Sequence, residues 1–243
     1  MDFAAYLDAL DRESGAFARA ARATPLDAAV PTCPEWSVEN LVRHLGRVHR
    51  WAARCVRERA TDRVRSGDPG PEAVRLLDWF DEGAAELAEV LRAAGPGAAV
   101  WTWGPGGTSG WWARRQAHET AIHRFDAESA AGGGAPIDSE QAVDLVDELL
   151  DNLDALLGFG SRSALGGRGE TLHLHCTDAD GEWLLTLEGD GFAVARTHAK
   201  GDVAARGTAS DLALFVTGRV GAERLEIFGD AALLERWQAF VRF

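Results

Sequence analysis

Arg115-Gln116-Ala117-His118-Glu119-Thr120-Ala121-Ile122-His123-Arg124-Phe125-Asp126 sets a carboxylate, Glu119, and an imidazole, His123, four residues apart in a stretch that reads as helix. Four residues turn an α-helix through about 400°, which leaves the two side chains about 40° apart on one face. That spacing offers two ligands to one divalent metal. His118 lies five residues before His123, about 140° away around the helix, so the two histidines do not share a metal. The string is therefore not the HExxH of zinc peptidases. A catalytic metal takes three protein ligands and keeps an open position, so a third ligand has to come from another helix.

The candidate for that third ligand is His44, in Cys33-Pro34-Glu35-Trp36-Ser37-Val38-Glu39-Asn40-Leu41-Val42-Arg43-His44-Leu45-Gly46. Ser37 reads as an N-cap, with Glu39 in the first turn where the helix dipole favours an anion. His44 then falls two turns in, beside the apolar positions Leu41, Leu45 and Val48. The residues alone leave two readings open. His44 is either a ligand or a core histidine bonded to a backbone carbonyl, and Glu-His pairs also occur on solvated helix faces.

Outward from these strings the chain changes style once. Phe3, Leu7, Leu10 and Phe17 recur at helical spacing, and Ser37 opens a second helix running to about Arg59. After a charged turn ending in Asp68-Pro69-Gly70-Pro71, a third helix carries Val74, Leu77, Phe80, Leu87 and Leu91, and Gly95-Pro96 stops it. A Trp- and Gly-rich loop (Trp101, Trp103, Trp111, Trp112) leads into the helix of Glu119 and His123, which ends near Gly132-Gly133-Gly134. These tryptophans read as the mouth of a pocket, and Trp36 as a structural staple at the start of the second helix. Four helices with ligands on two of them fit a bundle with an interior site. A fifth helix spans Asp138 to Leu157 and connects the halves or packs on the bundle. The Gly-rich stretch from Gly160 to Gly169 is the expected boundary.

Beyond it the period becomes two. Thr171 to Cys176 alternates, Glu182 to Leu187 nearly does, and Asp180-Gly181 between them suits a hairpin-type turn. Phe192–Arg196 and Asp202–Arg206 add short strands, while Ser210–Thr217 and Ala231–Val241 read as helices. His173 and His175 share one strand face, which exposure explains without a metal.

Composition excludes several classes. The chain has 243 residues, 38 acidic and 25 basic, for a formal charge of -13. Such a field repels phosphate backbones, so no nucleic-acid partner is expected. No apolar run reaches the roughly 18 residues of a membrane span, and the N-terminus lacks a signal-peptide pattern. Cys33, Cys55 and Cys176 are odd in number and lack CxxC spacing, which predicts reduced thiols and a cytoplasmic protein. Arginines flanking the central helix, Arg114, Arg115 and Arg124, read as solvated.

Taken in order, three strings resemble the mycothiol-dependent maleylpyruvate isomerase family, a branch of the DinB-like metal-binding four-helix bundles. They are Pro31 through Trp36 and His44 to Trp51, Arg115 to Glu128 with AHETAIHRFDAE at its core, and Val203–Arg219 followed by Leu225–Asp230. The last is similar to the family's small sterol-carrier-like C-terminal domain. The resemblance implies an α+β chain of two domains, a DinB-like bundle over 1–160 and a sterol-carrier-like α/β domain over 161–243. It implies His44, Glu119 and His123 as ligands of a divalent metal, zinc by preference, with mycothiol as the second cofactor. It also implies Arg219 as a cation lent to the active site. In the reaction so implied, a metal-held thiolate adds to the cis double bond of maleylpyruvate. Rotation and expulsion of the thiol then give the trans product, and transfer of the thiol is the related outcome. The expected partners are a small-molecule substrate and a low-molecular-weight thiol, in a monomer or small homo-oligomer. Two other readings remain open at this point: a thiol-independent metalloenzyme of a biosynthetic pathway, and a non-catalytic small-molecule binding module.

Overall fold

Ser37 starts the helix that carries His44, as its sequence requires. Its hydroxyl accepts from the Asn40 backbone N–H at 3.3 Å, and Asn40 Oδ1 accepts from the Ser37 N–H at 3.0 Å, a reciprocal cap. The computed structural model describes residues 1–65, 67, 69–157, 165–189 and 191–241, with the backbone alone at 154, 156 and 157. Two expectations fall outside these residues: Asp68 in the charged turn, and the apolar role of the Leu157 side chain.

The helices of the first unit are α1 (Phe3–Arg22), α2 (Val38–Arg57), α3 (Leu76–Ala94) and α4 (Ser109–Ala130). Between α1 and α2 lies a two-stranded hairpin, β1 (Ala29–Val30) and β2 (Cys33–Ser37), which has no counterpart among the elements expected from the sequence. α1 packs on α3 and α4, and α2 on the same two helices. Apolar side chains at helical spacing build two clusters. One contains Phe17, Leu41, Leu45 and Phe80; the other contains Leu10, Val56, Leu87, Leu91 and Trp112. Val74 is 84% exposed in a 3-10 turn before α3, so it lies outside the apolar stripe assigned to it. α3 ends at Gly95, whose φ of +67° suits glycine.

α4 departs from the usual amphipathic pattern. Most of its residues are buried, including Arg115, Gln116, His118, Thr120, His123, Arg124 and Asp126. A helix enclosed on nearly all sides has to satisfy such groups internally. Arg124 does so by donating to Glu13 of α1 at 2.9 Å and to Glu128 at 2.8 Å. Arg115 and Arg124 are thus 6% and 3% exposed, which corrects their reading as solvated flanks.

The second unit contains α5 (Ser139–Leu157), β3 (Gly167–Cys176), β4 (Glu182–Gly189), β5 (Gly191–Ala195), β6 (Val203–Gly207), α6 (Ala209–Val216), β7 (Glu226–Gly229) and α7 (Ala232–Phe240). Its sheet has the order β5-β4-β3-β6-β7, antiparallel except for the parallel β3–β6 pair. Leu172, Leu174 and Cys176 of β3, with Trp183, Leu185 and Leu187 of β4, form its buried face. β7 was not foreseen as a strand.

The chain divides into Met1–Ala135 and Pro136–Phe243, which corrects the boundary expected at 160/161. α5 belongs to the second unit because it packs on α6 and its Asp147 accepts from Trp183 Nε1 at 2.6 Å and Arg196 Nε at 2.7 Å. Of the stretch named as the boundary, residues 160–164 lie outside the described residues. Among the described residues, no helix is long and apolar enough to cross a membrane.

Gly46, in the turn after His44, leaves room for Trp79: a Cβ there would collide with the indole ring. Gly46→Ala is therefore expected to destabilise the helical unit by about 1–3 kcal/mol, as forced overpacking does. Urea unfolding of the variant against the parent checks this.

Candidate metal centre

Glu119 occupies the middle of the site. Its side chain is 18% exposed, and its two oxygens have separate neighbours. Oε1 lies 3.2 Å from His44 Nε2 on α2 and 3.3 Å from His123 Nε2, one turn further along α4. Oε2 accepts a close hydrogen bond from Arg115, one turn before. The donor atoms of His44, Glu119 and His123 all lie within 4.8 Å of one another. The two imidazole rings stand edge to face, with centroids 4.9 Å apart.

Behind His123 is a carboxylate that the sequence reading left unassigned. Asp126 is fully buried, and its Oδ2 accepts from His123 Nδ1 at 2.8 Å. Its Oδ1 accepts from Thr32 Oγ1 at 2.6 Å, in the turn between β1 and β2, and Cys33 Sγ lies 3.7 Å from Oδ2. The bond from Nδ1 fixes the ring so that Nε2 faces Glu119. The signal was present in the sequence: Asp126 follows His123 by three residues, hence on the same helix face.

Trp36 was read as a structural staple. It does pack on the core, but its ring also lies 4.8 Å from that of His44 and is stacked 6.0 Å from that of His123. It forms a wall of the site. The Trp-rich loop is mostly the reverse. Trp112 is fully buried and donates from Nε1 to the Trp101 carbonyl at 2.9 Å. The rings of Trp51, Trp101 and Trp111 pack around it, which corrects the pocket-mouth reading for Trp112. Trp103 comes nearer the site, 5.9 Å from the Arg115 guanidinium.

Electrostatics keep the carboxylate ionised. Burial pushes the Glu119 carboxyl up, but the Arg115 charge and the bonds to His123 and His44 outweigh it and hold the group well below the usual carboxylate range. For His44, burial lowers the pKa more than the Glu119 contact raises it. For His123, burial lowers the pKa, and the bonds to Asp126 and Glu119 overturn that and raise it. Two neighbouring histidines have other duties. His118 is buried with its ring edge-on to Tyr6, turned away from the triad as its spacing predicted. His49 is buried with Nε2 2.9 Å from Thr120 Oγ1, and burial lowers its pKa to about 3, so it is a neutral core group. Arg219 lies in the second unit, half-buried in the turn after α6. There its Nη1 donates to the Thr217 carbonyl at 2.8 Å.

Comparison with known proteins bears on the family and the fold. Residues 7–128 match the family model for the mycothiol maleylpyruvate isomerase N-terminal domain, and residues 140–236 that for the MDMPI C-terminal domain. The chain belongs to the mycothiol maleylpyruvate isomerase family. Two crystal structures share its fold, one of a mycothiol-dependent maleylpyruvate isomerase and one of a mutant of it with a histidine replaced by alanine. Each aligns with a TM-score of 0.66 and 14% identity over 93% of this chain and 93% of the other. No curated relative matches the chain in sequence. The two family domains meet between residues 128 and 140, in accord with the division at Ala135.

Cys33 is half-buried beside Asp126, whereas Cys55 and Cys176 are buried and burial raises both thiols to about 12. Iodoacetamide at about pH 8 is expected to label Cys33 and to spare the other two until the chain is denatured. Peptide mass spectrometry reads the order; equal labelling of all three in the folded chain would contradict it.

Proposed function

We propose that the chain is a metal-dependent, mycothiol-using enzyme of the maleylpyruvate isomerase type. Its reaction would be cis–trans isomerisation through reversible thiol addition, or transfer of the thiol itself. The convergence of His44, Glu119 and His123 is the observation that carries this reading. Tetrahedral zinc with bonds of about 2.0–2.1 Å leaves its ligand atoms about 3.3 Å apart. The Oε1 to Nε2 separations of 3.2 and 3.3 Å fit that spacing.

In this reading His44 Nε2, His123 Nε2 and Glu119 Oε1 hold a divalent ion, zinc by preference. When bound, the ion supplies a Lewis-acidic position at which a thiol is held as thiolate near neutral pH. Asp126 orients His123 and strengthens it as a donor, and Arg115 fixes the second oxygen of Glu119 so that one oxygen remains for the ion. Trp36 excludes water from the two histidines on its side. The His44 side chain is 30% exposed and the His123 side chain 6%. Substrate therefore approaches from the side of His44. Arg219 is proposed as the cation that stabilises the anionic intermediate of thiol addition, on the strength of the family resemblance.

The decisive experiment is the visible spectrum of the cobalt(II)-loaded protein before and after mycothiol is added. A new sulfur-to-cobalt band that is absent from Glu119→Ala supports the reading. A loaded triad with an unchanged spectrum points to a thiol-independent metalloenzyme instead. Replacing His44, Glu119 or His123 by Ala is expected to lower metal affinity at this site by at least about 100-fold, more than loss of an outer partner does. Metal retained at this site in full by any of the three sinks the triad. Arg219→Ala should keep the metal and lower turnover by roughly 10- to 1,000-fold, the range for loss of one charge-stabilising donor. Parental rates in that variant remove Arg219 from the reaction.

A further inference from the structure

His173 and His175, assigned above to an exposed strand face, are not alone there. His173 is 6% exposed, and both rings meet Glu182 and His198. His173 Nε2 lies 3.3 Å from Glu182 Oε2, His175 Nδ1 2.7 Å from Oε1, and His198 Nδ1 2.7 Å from Oε2. The three ring centroids are separated by 5.9, 5.6 and 6.1 Å, a near-equilateral set around one carboxylate, with each pair of rings edge to face. One ligand atom from each of the four residues falls within 4.8 Å of all the others.

We propose that these four residues form a second divalent-metal site, of the structural zinc class, contained within the second unit. Three imidazoles and one carboxylate fill a tetrahedral shell and leave no open position, which distinguishes it from the three-ligand centre of α2 and α4. Each histidine turns one ring nitrogen toward the same carboxylate, and a divalent cation set among these four atoms would take all of them as ligands.

The fold builds the cluster from three separate constraints. A separation of two residues puts His173 and His175 on one face of β3, opposite the buried face of Leu172 and Leu174. The antiparallel register then sets Glu182 of β4 directly across from His175. The chain leaving β5 at the sheet edge must pass β4 and β3 to reach β6, and His198 lies in that connection. Its far end is pinned to β3. Asp202 Oδ2 accepts from Thr171 N at 2.8 Å and Oγ1 at 2.9 Å. Gly201 approaches so closely that a Cβ would lie 3.0 Å from His173 N and 2.7 Å from Val203 O. A metal at this point ties the β5–β6 connection to the central strand. His198, whose side chain is 80% exposed, is the ligand that closes the clip.

The test is zinc retained per folded chain after saturation and gel filtration, read by elemental analysis, with circular dichroism as the check on folding. The parent is expected to hold about two equivalents and Glu119→Ala about one, one for each four-coordinate site. Adding His175→Ala or His198→Ala to Glu119→Ala should remove the remaining equivalent. Zinc should also raise the melting temperature of Glu119→Ala and not that of Glu119→Ala/His198→Ala. The proposal is overturned if Glu119→Ala holds no zinc, or if its zinc survives both histidine replacements. Failure of the first centre reads differently: Glu119→Ala would then match the parent, while His175→Ala alone would still lose one equivalent. Should His175→Ala fail to fold, the exposed His198 decides the matter.

Discussion

A carboxylate set inside a helical bundle must be matched in charge and in hydrogen bonds, and the site of this protein follows from how that is done for Glu119. An unpaired anion in such surroundings costs several kcal/mol. Here one oxygen is given to Arg115 on the same helix and the other to two imidazoles, one of them on α2. The division matters chemically. The arginine neutralises the charge without occupying the oxygen that faces the histidines.

The same requirement spreads outward through α4. His123 needs an acceptor behind it and finds Asp126, which in turn is held by Thr32 of the β1–β2 turn. Arg124 reaches Glu13 of α1, and Thr120 meets His49 of α2. Polar pairs thus link α4 to α1, to α2 and to the hairpin, alongside the apolar contacts of Phe17, Leu41, Leu45 and Phe80. Hydrophobic packing supplies the bulk of the driving force, and these pairs set which faces of the helices meet. The sheet of the second unit repeats the theme. Its apolar face is buried, and its other face gathers His173, His175 and His198 onto Glu182.

Local spacing made much of this legible. The Ser37 cap, the helix of Glu119 and His123, the turning away of His118 and the strand over Thr171–Cys176 all came from rules that act within a few residues, and all are present in the structure. The readings that went wrong concerned environment. Arg115 and Arg124 were placed in solvent because arginine usually is, and Trp112 was placed at a pocket mouth although its ring is fully enclosed. The fifth helix fell within the 1–160 domain, as a connection or as packing on the bundle, yet its Asp147 bonds to the sheet.

The amino-acid sequence by itself determined which residues share a helix face or a strand face, since a period of 3.6 or 2 is a property of the backbone alone. It thereby set Glu119 beside His123 and His173 beside His175. Only the tertiary structure decided that His44 joins the first pair, that Asp126 and Trp36 complete its surroundings, and that Glu182 and His198 join the second. Those partners lie on other elements, and their approach is set by packing, strand register and the path of a connection, none of which has a local signature in the chain.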